Sequence, residues 1–296
     1  MLLLAVSGSA AGAAGPRTVT APAPVIALAF DGSRVAYATG RGAGDCNRVR
    51  IWNLSTRGVT ALGRRTHCKQ TSTGNAIAAL AIAGTRALWL HYVGGNTREW
   101  SLWTATASRP APVRLRLVSR DADAAPPIVL GPGDGSRFGS LLPYAVDRTV
   151  VALRANGSRA FAWTAPGRVV ALAAGDGEVA VASAGGVVTV LDGGGRVLST
   201  ERFGAEIDVV RLTGNALAVQ HGRTLELRGG RTALYSLVGG ARLADAEGDR
   251  AVLVGGGKVR SFDLDSGSGG VVASGTLADL DGGRLASASG RIVGVR

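Results

Sequence analysis

The sequence predicts an all-β domain built from about seven copies of one antiparallel unit, and three observations carry that expectation. Glycine supplies 45 of 296 residues while aromatic residues make up only 5%, the balance of a chain with many tight turns and small side chains between them. An apolar run, a turn rich in Gly and Asp, and a second apolar run often opened by Arg recur along the chain. Asp-Gly between apolar runs is a strong hairpin signal, because a type I′ turn needs positive φ at both central positions.

The copies follow in order. The first is Val25 to Phe30, Asp31-Gly32-Ser33, then Arg34 to Ala38. The second is Ile77 to Ile82, Ala83-Gly84-Thr85, then Arg86 to Leu90. The third runs from Leu141 through Asp147 to Leu153, and the fourth pairs Val169–Ala173 with Val179–Ala182 across Asp176-Gly177. The fifth joins Ile207–Leu212 to Ala216–Val219, and the sixth joins Ala241–Asp245 to Arg250–Val254. The seventh is Thr276 to Leu280, Asp281-Gly282-Gly283, then Arg284 to Ser287. Both strands of each hairpin are apolar on consecutive residues, as expected when both faces are covered.

A third strand follows most hairpins. In Thr224-Leu-Glu-Leu-Arg228 the two Leu share one face, so this strand is expected to be half exposed and further out. A turn and a weaker fourth strand come next, as at Gly58 to Leu62. Four strands with the innermost buried and the outermost wet form a blade of a β-propeller.

Trp52-Asn53 with the following Leu-Ser-Thr-Arg-Gly58 resembles the third strand and turn of WD40 repeats, with Trp-Asn in place of Trp-Asp. Phe262-Asp263 to Gly267 is a second version, and Val190-Leu-Asp192 to Leu198 is similar to quinoprotein-like repeats without their usual Trp. The resemblance implies a single propeller of about seven four-stranded antiparallel blades over residues 15–296. The last copy, ending at Val295, supplies three strands. A segment near Arg17-Thr-Val-Thr20 is expected to close the ring as the outer strand of the last blade. In the second half of the chain the period of about 34 to 38 residues is too long for the rungs of a β-helix.

Residues 1–14, MLLLAVSGSAAGAA, read as an export signal with an A-x-A-like cleavage site, although the usual basic start is missing. No stretch is long and apolar enough to span a membrane as a helix. The net charge of +12 invites a nucleic-acid partner. Lys69 and Lys258 are the only lysines, however, and Arg is spread along the chain, recurring after the turns at Arg34, Arg86, Arg148, Arg250 and Arg284. Nucleic-acid binding needs a clustered footprint, so nucleic acid is not the expected partner.

Connections in the first two copies and between early copies are longer than the later ones: residues 39–47, 64–75, 91–98 and 119–137. In a WD40-like propeller all four lie on one face, over blades 1–3, where per-repeat insertions often bind partners. The candidate binding residues there are Asp45, Arg64, Arg65, His67, Lys69, Gln70, His91, Tyr92, Asn96, Arg98, Arg120, Asp121 and Asp123. The same geometry places Cys46 and Cys68 on one face of one blade, where an exported chain is expected to join them as a disulfide.

No catalytic motif is found. His67, His91 and His221 lie in three different repeats without ligand spacing, so no metal is expected. Asp263 to Gly267 opens like a calcium loop but lacks the terminal Glu, and Gly255-Gly-Gly-Lys258 lacks the hydroxyl of a phosphate loop. Trp100 and Trp103 are alternatives for stacking on a sugar. The expected function is that of an exported, monomeric, non-enzymatic module without a cofactor, binding a protein or an anionic cell-envelope ligand. The alternative is an enzyme of the central channel, a quinoprotein-like oxidoreductase or a polysaccharide lyase. Such an enzyme needs polar residues at the ends of several innermost strands, where the sequence reads mainly as Ala, Leu and Val.

Overall fold

A computed structural model of the chain describes residues 16–40, 48–63, 74–134, 140–214, 216–230 and 232–296. Among these the secondary structure is 28 strands in seven four-stranded antiparallel sheets, with no helix. The first strand, β1 (Arg17–Thr20), stands apart from the strands that follow it. Blade 1 is β2 (Val25–Asp31), β3 (Arg34–Thr39), β4 (Arg48–Asn53) and β5 (Val59–Leu62). Blade 2 is β6 (Gly74–Ala83), β7 (Arg86–Gly94), β8 (Thr97–Thr106) and β9 (Val113–Asp121). Blade 3 is β10 (Ile128–Leu130), β11 (Leu141–Val146), β12 (Thr149–Arg154) and β13 (Arg159–Thr164). Blade 4 is β14 (Val169–Gly175), β15 (Glu178–Ser183), β16 (Val187–Leu191) and β17 (Val197–Arg202). Blade 5 is β18 (Val209–Leu212), β19 (Ala216–His221), β20 (Thr224–Gly229) and β21 (Ala233–Ser236). Blade 6 is β22 (Arg242–Glu247), β23 (Arg250–Gly255), β24 (Lys258–Asp263) and β25 (Gly269–Ser274). Blade 7 is β26 (Leu277–Asp281), β27 (Arg284–Ser289), β28 (Ile292–Val295) and, as its outermost strand, β1.

The N-terminal strand therefore does complete the last blade, with Arg17 opposite Val295 and Thr20 opposite Ile292. One apolar cluster fills each junction between neighbouring blades. The cluster between blades 7 and 1 joins Ala286, Val293 and Val295 to Phe30, Tyr37 and Trp52. Alanines such as Ala36, Ala38, Ala173 and Ala180 are fully buried on the inner strands, where the wedge between blades is narrowest and only small side chains fit. Trp52, on the third strand β4, fills a wider part.

Three sequence expectations are corrected. The Leu141–Leu153 hairpin forms the second and third strands of blade 3, and the innermost strand is the short β10. Arg148 consequently lies at a second-to-third turn, on the opposite face from Arg34, Arg86, Arg250 and Arg284. Most third strands are buried, whereas β24 and β28 are half exposed as expected. Glu226 on β20 is only 7% exposed, held by Arg228 at 2.7 Å and His221 at 3.1 Å. The wet strands are the fourth ones, such as β17.

The Asp of the Asp-Gly pairs also has a different role from the one expected. Asp31 and Asp281 end their strands opposite Arg34 and Arg284, so the turn begins at the following Gly. Only Asp176-Gly177 places both of its residues in the turn, at φ 51° and 79°. Ending the strand leaves the carboxylate aimed at the neighbouring blade. Gly32 N–H donates to Asp281, Gly84 N–H to Asp31, Gly177 N–H to Asp134 at 2.9 Å, and both Gly282 and Gly283 N–H to Glu247 at 3.0 Å.

The Arg after the turn completes the fastener. Arg284 donates to Gly32 O and Arg250 to Gly283 O, both at 3.2 Å, while Arg86 donates to Ala155 O at 2.8 Å. In blades 6 and 7 a tetrad of acid, Gly, any residue and Arg thus grips both N–H and C=O groups of the next blade's turn. This gives Arg86, Arg250 and Arg284 a role within the fold.

Candidate functional site

Alternating strand direction leaves two faces. One carries the first-to-second and third-to-fourth turns, and is called the turn face below. The other carries the second-to-third turns and the connections between blades, and is called the connection face.

Blade 2 departs from the other six. Its strands run 10, 9, 10 and 9 residues, against three to seven elsewhere. Residues 91–98 and 119–121, expected as loop, are largely strand: Tyr92 pairs with Trp100, and Thr97 pairs with Asp121. The extra length projects on the connection face as a tip around the turn at Gly95-Asn96. Asn96 O accepts from Ala122 N–H at 2.8 Å, tying the connection to blade 3 onto this turn.

The tip gathers several of the candidates. Arg98 lies directly opposite Arg120 on adjacent strands. Like charges at such a position repel, and each guanidinium has a separate anchor. The Arg98 guanidinium stacks 4.7 Å above the Tyr92 ring, which leans on Trp100 at 5.0 Å. Arg120 meets Asp147 at 3.1 Å across the junction with blade 3. Asn96, Asp121 and Asp123 are exposed around this pair.

His91 is different. It is buried in β7, with Nε2 2.7 Å from Asn75 Oδ1, and burial lowers its pKa from 6.5 to about 4. It supports the blade from inside and presents no surface to a partner. Trp100 is likewise buried, so it offers no ring face to a sugar. Asp45, Cys46, Arg64, Arg65, His67, Cys68, Lys69 and Gln70 lie outside the described residues.

A second assembly, unread in the sequence, sits at the mouth of the central channel on the turn face. Asp134, Asp176, Asp245, Glu247, Asp279 and Asp281 line a recess of about 100 Å³, with Arg211 as the cation among them. This corrects the expectation that innermost-strand ends carry mainly Ala, Leu and Val. Arg211 reaches Asp245 at 3.1 Å and also donates to Ala244 O. Asp245 accepts from Leu280 N–H at 2.9 Å, and Asp279 accepts from Phe30 N–H at 2.6 Å. Burial, then the neighbouring Asp245 carboxyl, holds Asp279 well above the usual carboxylate range. Burial also raises Asp281 to about 6, against the opposing hydrogen bond from Gly32. Among the described residues no group of three or more His, Cys, Asp or Glu is arranged to hold a metal ion, and no helix is long and apolar enough to cross a membrane.

The Asn and Asp of the WD40-like signatures have a local task. Asn53 accepts from Ser55 and Thr56 N–H at 2.9 and 3.2 Å, and Asp263 accepts from Asp265 and Ser266 N–H at 3.0 and 2.6 Å. Each shapes a third-to-fourth turn, which accounts for the calcium-like rhythm after Asp263.

No protein family matches the chain, and no curated protein sequence does. Solved structures do. A chain of the mitotic checkpoint complex superposes with a TM-score of 0.59 at 14% identity, covering 100% of this chain and 98% of that one. Sqt1 of Saccharomyces cerevisiae gives 0.53 at 13% identity, covering 94% and 97%. Raptor of Chaetomium thermophilum gives 0.55 at 13% identity, covering 94% of this chain and 28% of that one. At such identity the likeness concerns the fold, and it bears out the WD40-like propeller architecture.

Proposed function

We propose that the protein is an exported, non-enzymatic binding module that takes a protein or anionic cell-envelope partner on the connection face, at the tip of blade 2. The observation that carries this reading is the Arg98–Arg120 juxtaposition. Two arginines lie opposite each other on a projecting β-ribbon, one guanidinium positioned by an aromatic ring and the other by a carboxylate, and an anionic partner would find both cations on adjacent strands. Both arginines are anchored before binding, which lowers the ordering cost of recognition. Solved structures sharing this fold include a chain of a multiprotein checkpoint complex, which is consistent with an interaction role.

The acidic channel mouth supports the non-enzymatic side of the reading. Its recess of about 100 Å³ is small beside the roughly 300–1,000 Å³ of small-molecule sites. Asp134, Asp245, Glu247, Asp279 and Asp281 each accept a backbone N–H of the neighbouring blade. These carboxyls fasten the ring.

Site-specific photo-crosslinking in the producing cells tests the binding face. A crosslinker at Asn96 is expected to trap a partner that one at Asp249, on the turn face, does not trap. R98A/R120A is expected to remove that adduct. Trapping from Asp249 alone contradicts the reading. Export is tested by mass spectrometry of the unreduced protein, with loss of the first 13 or 14 residues and a Cys46–Cys68 linkage expected. An intact N-terminus with two free thiols contradicts it.

A further inference from the structure

The repeat allows equivalent wedges between blades to be compared, and two of them have similar volume and opposite charge. On the turn face between blades 5 and 6, a cleft of about 430 Å³ is lined by residues that include Ala216, Leu227, Asp249, Leu264 and Asp265. Between blades 7 and 1, a cleft of about 450 Å³ is lined by Arg17, Ser33, Leu54, Ser55, Arg284, Val295 and Arg296.

Hydrogen bonds establish the equivalence. Leu264 N–H donates to Asp249 O at 2.6 Å, and Leu54 N–H donates to Ser33 O at 2.8 Å. The Leu264 carbonyl accepts from Tyr235 Oη at 2.5 Å, and the Leu54 carbonyl accepts from the Arg17 guanidinium. Tyr235 and Arg17 both come from the outermost strand of the preceding blade. Ser33 therefore stands where the other wedge has Asp249, and Ser55 where it has Asp265. Arg284, the first residue of its second strand, stands where the other wedge has Ala216.

The exchange removes both carboxylates and adds guanidiniums. No Asp or Glu lines the cleft between blades 7 and 1. Its three arginines are held in place by carbonyls: Arg17 by Leu54 O, Arg284 by Gly32 O at 3.2 Å and Arg296 by Val272 O at 2.5 Å. Arg284 also stacks over Phe30, 5.4 Å from the ring centre. Each of these carbonyl bonds uses one of the five N–H donors that an arginine carries. The remaining donors and the hydroxyls of Ser33 and Ser55 suit an acceptor-rich group, and Arg is the side chain best matched to planar or tetrahedral oxyanions.

We propose that the cleft between blades 7 and 1 binds the oxyanion group, phosphate, sulfate or carboxylate, of a small ligand. The site lies on the turn face, opposite the tip of blade 2, and stands whether or not that tip binds a partner. Its volume falls within the range of small-molecule sites.

Isothermal titration of the full chain in low-chloride buffer tests the site, using inorganic phosphate, sulfate and citrate as separate probes. Saturable one-to-one binding of at least one probe is expected. Saturation by phosphate or sulfate alone assigns a tetrahedral oxyanion, saturation by citrate alone assigns a carboxylate ligand, and either result supports the site. Arg17→Gln and Ser55→Asp are each expected to weaken binding by about tenfold or more, the scale of one charge-assisted hydrogen bond. Ser55→Asp restores the acid of the other wedge at a solvent-facing turn, so it keeps the test valid if Arg17→Gln unfolds the chain. Asp265→Asn, in the wedge between blades 5 and 6, is expected to leave binding unchanged. Absence of saturable binding with all three probes, or equal binding by wild type and Ser55→Asp, overturns the proposal.

Discussion

The turn face and the tip of blade 2 use arginine in opposite ways. On the turn face, Arg86, Arg250 and Arg284 donate to carbonyls of the next blade, beside acids that accept that blade's N–H groups. Part of the donor capacity of these arginines is used there in joining neighbouring blades. At the tip, Arg98 and Arg120 face each other across one strand pair and are anchored only by Tyr92 and Asp147. A chain of net charge +12 therefore has a face where several arginines join neighbouring blades and a tip where two arginines lie opposite each other on adjacent strands. Net charge alone does not separate these uses; the partner of each guanidinium does.

The comparison is broken most severely at the channel mouth. Asp245→Ala leaves Arg211 without its carboxylate and Leu280 N–H without its acceptor. Removing one member of a buried pair costs about 3–5 kcal/mol. A urea unfolding curve should show that loss as a lower midpoint at unchanged slope. A loss under 1 kcal/mol would show that the mouth is not a fastener.

Truncation within blade 2 sharpens the contrast. Leu102 is fully buried between blades 2 and 3, and Leu102→Ala is expected to cost about 2–5 kcal/mol. The lower half of blade 2 is then as firmly packed as any other blade, and only its tip is free of that constraint.

The two regions also respond to pH with opposite sign. Asp281 rises from 3.8 to about 6 on folding, so the folded state binds more protons and stability falls as pH climbs through that interval. His91 falls from 6.5 to about 4, so the unfolded state binds more protons and stability is lost as pH drops through that interval. Thermal midpoints at pH 4.5 and 6.5 should separate them. Asp281→Asn is expected to make stability climb more steeply with pH, and His91→Gln to make it climb less or fall. The same change of slope in both variants would remove the distinction.

Much of the ring was legible in the sequence. Repeated apolar pairs around Gly-rich turns located the blades, and Arg17–Thr20 was legible as the closing strand. Blade 3 was misregistered for a physical reason. Its innermost strand has three residues and is followed by Gly131-Pro132-Gly133, while Leu141–Val146 with Asp147 imitates the usual first hairpin. The stretch from His91 to Arg98 has the polarity of a loop, because strands that extend beyond the core need not be apolar. The acidic mouth is not legible in the sequence, because Asp245 and Asp279 lie within apolar runs, Asp176 and Asp281 lie at turns, and no motif collects them. Its convergence exists only after closure, as when Asp279 meets Phe30 across 249 positions.

The most direct test pairs two arginine substitutions and reads stability and partner capture in each. Arg98→Gln with Arg120→Gln should leave the unfolding midpoint within about 0.5 kcal/mol of wild type, as expected away from the core, and abolish capture of the photo-crosslinked partner. Arg250→Gln with Arg284→Gln should lower stability by about 1–3 kcal/mol, the scale of lost hydrogen bonds from charged donors, and leave capture intact. The reverse pattern, in which the tip pair destabilises and the turn-face pair abolishes capture, would contradict the division between a fastened face and a binding tip.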